Sequence, residues 1–161
     1  MFTEIPYDRE AAVFYARKWA FLRNPRYYNF DDLGGDCTNF VSQCIYAGCG
    51  VMNFTPTFGW YYIDVNQRAP AWTGVEFLSN FLTTNTGAGP FAEEVAQTDL
   101  APGDIVQLFD GSGKLYHTLI VVAIRRGRIY VASHSADSFL RRLNTYTAAG
   151  FRFFHILGAR K

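Results

Sequence analysis

The chain has 161 residues, 49% apolar and 17% aromatic side chains, and a net charge of +1 from 15 basic and 14 acidic groups. A chain of this length buries roughly 70% of its extended surface, so one domain over residues 1–161 is expected and no disulfide or metal is needed for folding. The balanced charge excludes the dense basic footprint of a duplex nucleic-acid binder, and the apolar and aromatic content excludes disorder.

No charged–apolar–small leader pattern opens the chain, and no 18-residue apolar run occurs, so a soluble domain with no integral membrane segment is expected. The compartment stays open between the cytoplasm and a fragment of an exported protein. The three cysteines, Cys37, Cys44 and Cys49, do not make a disulfide framework, because positions 37 and 44 lie two helical turns apart.

Asp8 is a plausible N-cap for a helix over about 9–22, with Ala12, Ala16, Trp19 and Ala20 on one face and Asn24-Pro25 as its stop. Residues 26–36 read as a loop rich in Tyr, Asn, Asp and Gly. A second helix follows over about 37–47, with Phe40, Val41, Cys44 and Ile45 as its apolar stripe and Gly48 and Gly50 at its end. Residues 51–73 have no clean period. A short helix near 74–82 precedes a Thr/Gly loop over 83–90. The second half reads as strands at 105–109, 116–124, 129–134 and 151–157, separated by Leu100-Ala101-Pro102-Gly103-Asp104, Asp110-Gly111-Ser112-Gly113 and the Arg126-Gly127 hairpin. Helices first and an antiparallel meander second predict an α+β domain.

Gly34-Gly35-Asp36-Cys37 carries the most chemistry. A cysteine in the first turn of a helix faces unpaired backbone N–H groups and the positive end of the helix dipole, both of which favour thiolate. The glycines allow a sharp turn, and Asp36 is positioned to cap the helix. Cys37 is therefore the candidate nucleophile; the competing reading is a small buried cysteine in a core helix.

The hairpin supplies its partners. With Arg126 and Gly127 as the two loop residues, paired positions place Leu119 opposite His134 and His117 opposite Ala136. His117 and His134 then share one face as diagonal neighbours, and Asp137 points the other way; a bulge reverses that choice. On this register His117 is the general base and His134 its orienting acceptor. Taken singly, each reads as an ordinary hydrogen-bonded or exposed histidine; the pair on one face together with Cys37 points to catalysis, and His155 on the last strand reads as structural.

The Cys37 N–H and the Tyr28 phenol are candidate oxyanion donors, with aromatic packing as the alternative for Tyr28. Asp36 and Trp60 complete the candidate substrate-binding set. Trp60, Tyr61, Tyr62 and Trp72 have the chemistry to stack on sugars or peptides, which supports an alternative reading as a non-catalytic binding module. A Cys₂His₂ metal site from Cys37, Cys44, His117 and His134 is disfavoured by the absence of closely spaced ligand pairs. No cofactor is implied.

Asp36-Cys37-Thr38-Asn39-Phe40-Val41-Ser42-Gln43 closely resembles the putative amidase domains of Firmicutes, relatives of the NlpC-like cell-wall peptidases. The likeness extends to the lead-in at 27–30, Pro102-Gly103-Asp104, His117-Thr118-Leu119-Ile120-Val121 and Ser133-His134-Ser135-Ala136-Asp137. It implies a papain-like fold with the cysteine helix packed on an antiparallel meander. It also implies amide-bond cleavage through a thioester, with peptidoglycan peptides or related peptide amides as substrate. Cys, His and a third polar residue would be the catalytic set.

Overall fold

The computed structural model describes residues 1–161. Its first helix, α1 (Arg9–Trp19), starts where Asp8 accepts from the Ala11 N–H at 3.0 Å. Ala12 and Ala16 are buried, and their small side chains let α1 approach the second helix closely. α1 ends earlier than the periodicity suggests: the Ala20 N–H still bonds the Ala16 carbonyl, and the Trp19 carbonyl then turns to Leu22.

The second helix, α2 (Cys37–Cys49), is buried on nearly every side, with each residue from Cys37 to Ile45 inside the fold. A helix buried all round needs neighbours all round. α1 lies on one side and the sheet on another. Trp60 and Trp72, both fully buried, cover it further. The helix ends at Gly50, whose φ of 69° is left-handed and whose N–H closes onto the Tyr46 carbonyl.

The aperiodic middle folds into a small hairpin, β2 (Tyr62–Asp64) with β3 (Gln67–Arg68), then α3 (Pro70–Thr73) and α4 (Val75–Thr84). The polar letters of the cysteine motif hold this segment. Asn39 Oδ1 accepts from Trp72 Nε1 at 3.0 Å. Ser42 Oγ accepts from Trp60 Nε1 at 3.1 Å and donates to the Trp72 carbonyl at 2.9 Å. The two indoles lie 4.6 Å apart. Residues 83–90 do not form a single loop: α4 runs to Thr84, and β4 (Gly89–Val95) starts at Gly89, whose φ is 94°.

The chain then forms β5 (Ile105–Phe109), β6 (Leu115–Arg125), β7 (Arg128–Ser133), β8 (Ser138–Arg142) and β9 (Gly150–Arg160). With the short β1 (Glu4–Ile5) these give a seven-stranded antiparallel sheet in the order β1-β9-β5-β6-β7-β8, β4 pairing with the other edge of β9. The architecture is α+β, with an antiparallel sheet as expected.

Its inner face, carrying Ile105, Ile120, Val122, Ala132, Phe154 and Ile156, joins the helices in the main core. Its outer face carries Val106, Leu108, Leu119, Val121, Ile129 and Val131 in a smaller one.

The Pro102-Gly103-Asp104 turn is a buried anchor. Asp104 accepts from the Ala101 N–H, the Ile156 N–H, Arg9 Nη1 at 2.7 Å and His155 Nδ1 at 2.7 Å. His155 is tied into this structural cluster.

Candidate active site

Two register shifts decide which residues meet. β6 and β7 pair as Arg125↔Arg128, Ile124↔Ile129 and Ala123↔Tyr130, as the two-residue turn requires, but then as Val121↔Val131 and Ile120↔Ala132. Val122 is an extra residue, a bulge in β6. Beyond it every partner moves by one and the faces invert. Continuing the alternation, Thr118 takes the place opposite His134, while His117 falls on the outer face. The expectation that His117 and His134 are neighbours on one face is corrected accordingly. A second shift, between Leu108 and Phe109, follows immediately on the other edge of β6.

His134 stacks on Phe40 of α2, ring centroids 4.0 Å apart, and is buried. Its Nδ1 lies 2.5 Å from Asp36 Oδ2, and its Nε2 lies 2.9 Å from the Trp19 carbonyl and 3.1 Å from Arg23 Nη1. A carboxylate only accepts, so Nδ1 carries the proton. Both ring nitrogens are thus engaged with the start of α2 and the end of α1, and His134 makes no hydrogen bond to His117.

Asp36 is not a side-chain cap. No hydrogen bond runs from its carboxylate to the first turn of α2. Instead Oδ1 accepts from the Phe30 N–H at 2.8 Å and Asn39 Nδ2 at 2.9 Å, and Oδ2 takes His134. Burial pushes the Asp36 carboxyl up, but hydrogen bonds from His134, Asn39 and Phe30 outweigh it and hold the group below the ordinary aspartate range. Arg23 closes the cluster, pairing with Asp137 at 2.9 and 3.0 Å and with Asp31 at 3.0 Å. Nothing in the spacing of the sequence marks Arg23; it lies in the loop after α1, outside the motifs.

Cys37 opens α2 next to this cluster, 8% exposed. Burial raises its thiol, and the backbone N–H of Thr118, the Thr38 hydroxyl and the Thr38 N–H pull the other way without cancelling it. Cys37 Sγ lies 3.8 Å from Thr38 Oγ1. The sulfur therefore sits against the peptide that joins His117 to Thr118. This contact has a simple origin: β7 ends at Ser133, so the Thr118 N–H on that edge of β6 has no strand partner.

His117 is partly buried, with its imidazole 6.2 Å from the Tyr146 ring. Burial first, and the nearby Arg141 charge second, lower its pKa to about 4. It is a neutral imidazole at neutral pH and makes no side-chain hydrogen bond in this geometry.

The remaining candidates divide. Tyr28 is 47% exposed; its N–H donates to Tyr62 Oη at 2.8 Å, its carbonyl accepts from Asn39, and its ring meets Phe30 edge-on at 5.0 Å. Trp60 is wholly buried beside Trp72 and Phe81 and has no face to offer a ligand. Cys44 lies in the apolar core, and no group of three or more His, Cys, Asp or Glu side chains is placed to hold a metal ion. No helix is long and apolar enough to cross a membrane.

Residues 6–157 match the family described as a putative amidase domain. Two proteins of Bacillus subtilis (strain 168) are similar to the chain. The uncharacterized protein YhbB is 37% identical over 161 residues, covering 94% of this chain and 50% of its own length. The uncharacterized protein YjcM is 27% identical over 139 residues, covering 81% of this chain and 31% of its own length. The chain thus spans half or less of these relatives. No solved structure matches it. With the family matched across almost its whole length, the chain belongs to the putative amidase domain family.

Proposed function

We propose that residues 1–161 form one domain of papain-like, NlpC-related architecture that hydrolyses amide bonds through Cys37. The family membership supports amide hydrolysis at the coarse level. The observation that carries the finer reading is the position of Cys37 Sγ, at the first turn of α2 and against the His117–Thr118 peptide of β6. His117 is bonded to Thr118; its imidazole rests on the outer face near the Tyr146 ring, and acting on the thiol requires it to turn from there toward the sulfur.

The proposed chemistry starts from a neutral pair. Burial favours the thiol at Cys37 and the uncharged ring at His117, so the imidazole acts as general base when the thiol attacks. Sulfur bonds to the amide carbonyl carbon and its proton passes to His117. Collapse of the tetrahedral adduct breaks the C–N bond, and the imidazolium returns the proton to the leaving amine. Water, deprotonated by the same ring, then cleaves the thioester. The unpaired N–H groups at the start of α2 are suited to the oxyanion, and the Tyr28 phenol at the exposed lip is a second donor. His134 and Asp36 hold the cysteine turn in place rather than touch substrate. Peptide amides, including peptidoglycan peptides, are the proposed substrate class.

The rival reading, a glycan- or peptide-binding module, loses its main support, because the Trp60 and Trp72 rings are buried. Purified peptidoglycan fragments and a peptide-amide library, incubated with the chain and with Cys37→Ala, test the proposal by mass spectrometry. Cleavage products and an acyl adduct on Cys37, both absent with Cys37→Ala, are expected. Products that persist in Cys37→Ala overturn it.

A further inference from the structure

A line of buried polar groups approaches Cys37 from the inner side of the sheet. Gln107, on β5, places Nε2 2.7 Å from the Val75 carbonyl and 3.3 Å from Thr118 Oγ1. Thr118 Oγ1 lies 2.9 Å from Thr38 Oγ1, and Thr38 Oγ1 lies 3.8 Å from Cys37 Sγ. Gln107, Thr118 and Thr38 are all fully buried. An apolar trio would pack there without any need for pairing, so polar residues at three successive positions call for an explanation.

The direction of each bond follows from the inventory of donors. The Val75 carbonyl only accepts, which fixes the amide with its nitrogen toward Val75. The second N–H of that nitrogen is then left for Thr118 Oγ1. The Thr118 proton needs an acceptor in turn. Gln107 Oε1 is buried with no hydrogen-bond partner, so it does not receive that proton, and Thr38 Oγ1 does. Thr38 is the second residue of α2, where no carbonyl of a preceding helical turn competes for its hydroxyl proton. That proton is free to point at the sulfur.

Resting on the reading of Cys37 as nucleophile, we propose that Gln107, Thr118 and Thr38 form a one-way donor chain that ends on Cys37 Sγ. In it, Thr38 and Thr118 are positioning residues that favour the thiolate as it forms. No proton is transferred along the chain. Each hydroxyl accepts on one side and donates on the other, and that polarisation strengthens the last bond. The arrangement matches a site whose thiol is otherwise penalised by burial: it adds stabilisation only when negative charge develops on sulfur.

The test is the pH dependence of Cys37 alkylation by iodoacetamide in the full chain, resolved from Cys44 and Cys49 by peptide mapping. Thr38→Val keeps the shape and removes the terminal donor; its alkylation rate at pH 7 should fall about tenfold, the loss expected for one hydrogen bond to a charged atom. Its profile should shift to higher pH. Thr118→Val should fall about threefold. Thr38→Ser and Thr118→Ser, which restore the hydroxyls, should recover the parent profile. If Thr118→Val does not fold, Gln107→Met interrupts the line one bond further back and carries the same expectation. A Thr38→Val profile that superimposes on the parent, or a Thr118→Ser profile as displaced as that of Thr118→Val, overturns the inference. Alkylation requires no substrate, so this outcome is independent of whether the chain hydrolyses an amide; loss of the catalytic reading is read separately from Cys37→Ala and His117→Ala.

Discussion

Asp36 and His134 are joined at 2.5 Å, carboxylate Oδ2 to imidazole Nδ1, with both side chains buried. This bond ties the turn before Cys37 to the residue that follows β7, 98 positions further on. The Trp19 carbonyl and Arg23 extend it to the end of α1. Removing either partner strands a buried polar group. Asp36→Ala and His134→Ala should each destabilise the fold by about 2–4 kcal/mol, read from denaturant midpoints. His134→Ala should leave a Cys37 that still reacts with a small alkylating reagent once folded. A His134→Ala chain as stable as the parent would contradict this structural role.

Trp60 leads to a separate expectation. Its indole is wholly enclosed, and its Nε1 donates to Ser42. Trp60→Ala should cost about 3–5 kcal/mol, as large aromatic truncations in cores do. Trp60→Phe, which keeps most of the volume but leaves Ser42 Oγ without its donor, should cost less. Calorimetry of the three chains gives the order. Neither change should act through substrate contact, so a variant that folds should keep the parent KM on any cleaved amide.

The elements themselves were legible because their signals are local. Asp8, Gly50, the β-branched run in β6 and the Arg126-Gly127 turn each act within a few residues. The α+β class followed from their order. The site was less legible because it depends on register. One extra residue at Val122 inverts the face of everything before it in β6, and a bulge has no reliable mark in a run as uniformly apolar as Leu119-Ile120-Val121-Val122. The same inversion took His134 from a presumed partner of His117 to the partner of Asp36. The polar letters of the cysteine motif were visible but not their targets: Asn39, Ser42 and Thr38 bond to Trp72, Trp60 and Thr118, up to 80 positions away. Arg23 offered no signal, since an arginine in a polar loop is ordinarily solvated.

On the proposed assignment of Cys37 as nucleophile, the two α2 cysteines should separate function from stability. Cys37 stands at the helix start as a residue that keeps 8% of its surface exposed, whereas Cys44 is fully buried two turns on. Cys37→Ala should abolish amide turnover and thioester formation with little loss of stability. Cys44→Ala should retain turnover and destabilise by about 1 kcal/mol, the worth of a small apolar group in a core. Equal turnover by the parent and Cys37→Ala on the same substrate would refute the assignment.

His117 should make both activity and stability depend on acid pH. In the folded chain burial and the Arg141 charge lower its pKa to about 4, against an ordinary value of 6.5. Between those two values the unfolded chain binds a proton at this residue that the folded chain refuses. Stability therefore falls as pH drops from 6.5 toward 4 and is regained as pH rises through that window. The full shift corresponds to at most about 3 kcal/mol. His117→Gln, which has no such proton, should flatten the dependence across this window. Its remaining acid sensitivity should begin lower, where Asp36, held below the ordinary aspartate range by its hydrogen bonds, is finally protonated. Activity should follow the same ring: with His117 as general base, kcat/KM should rise with pH through about 4 in the parent, and His117→Ala should lose nearly all turnover. Urea titrations of parent and His117→Gln at steps between pH 4 and 7 decide the stability half. Parallel curves for the two chains would show that His117 titrates normally in the folded state.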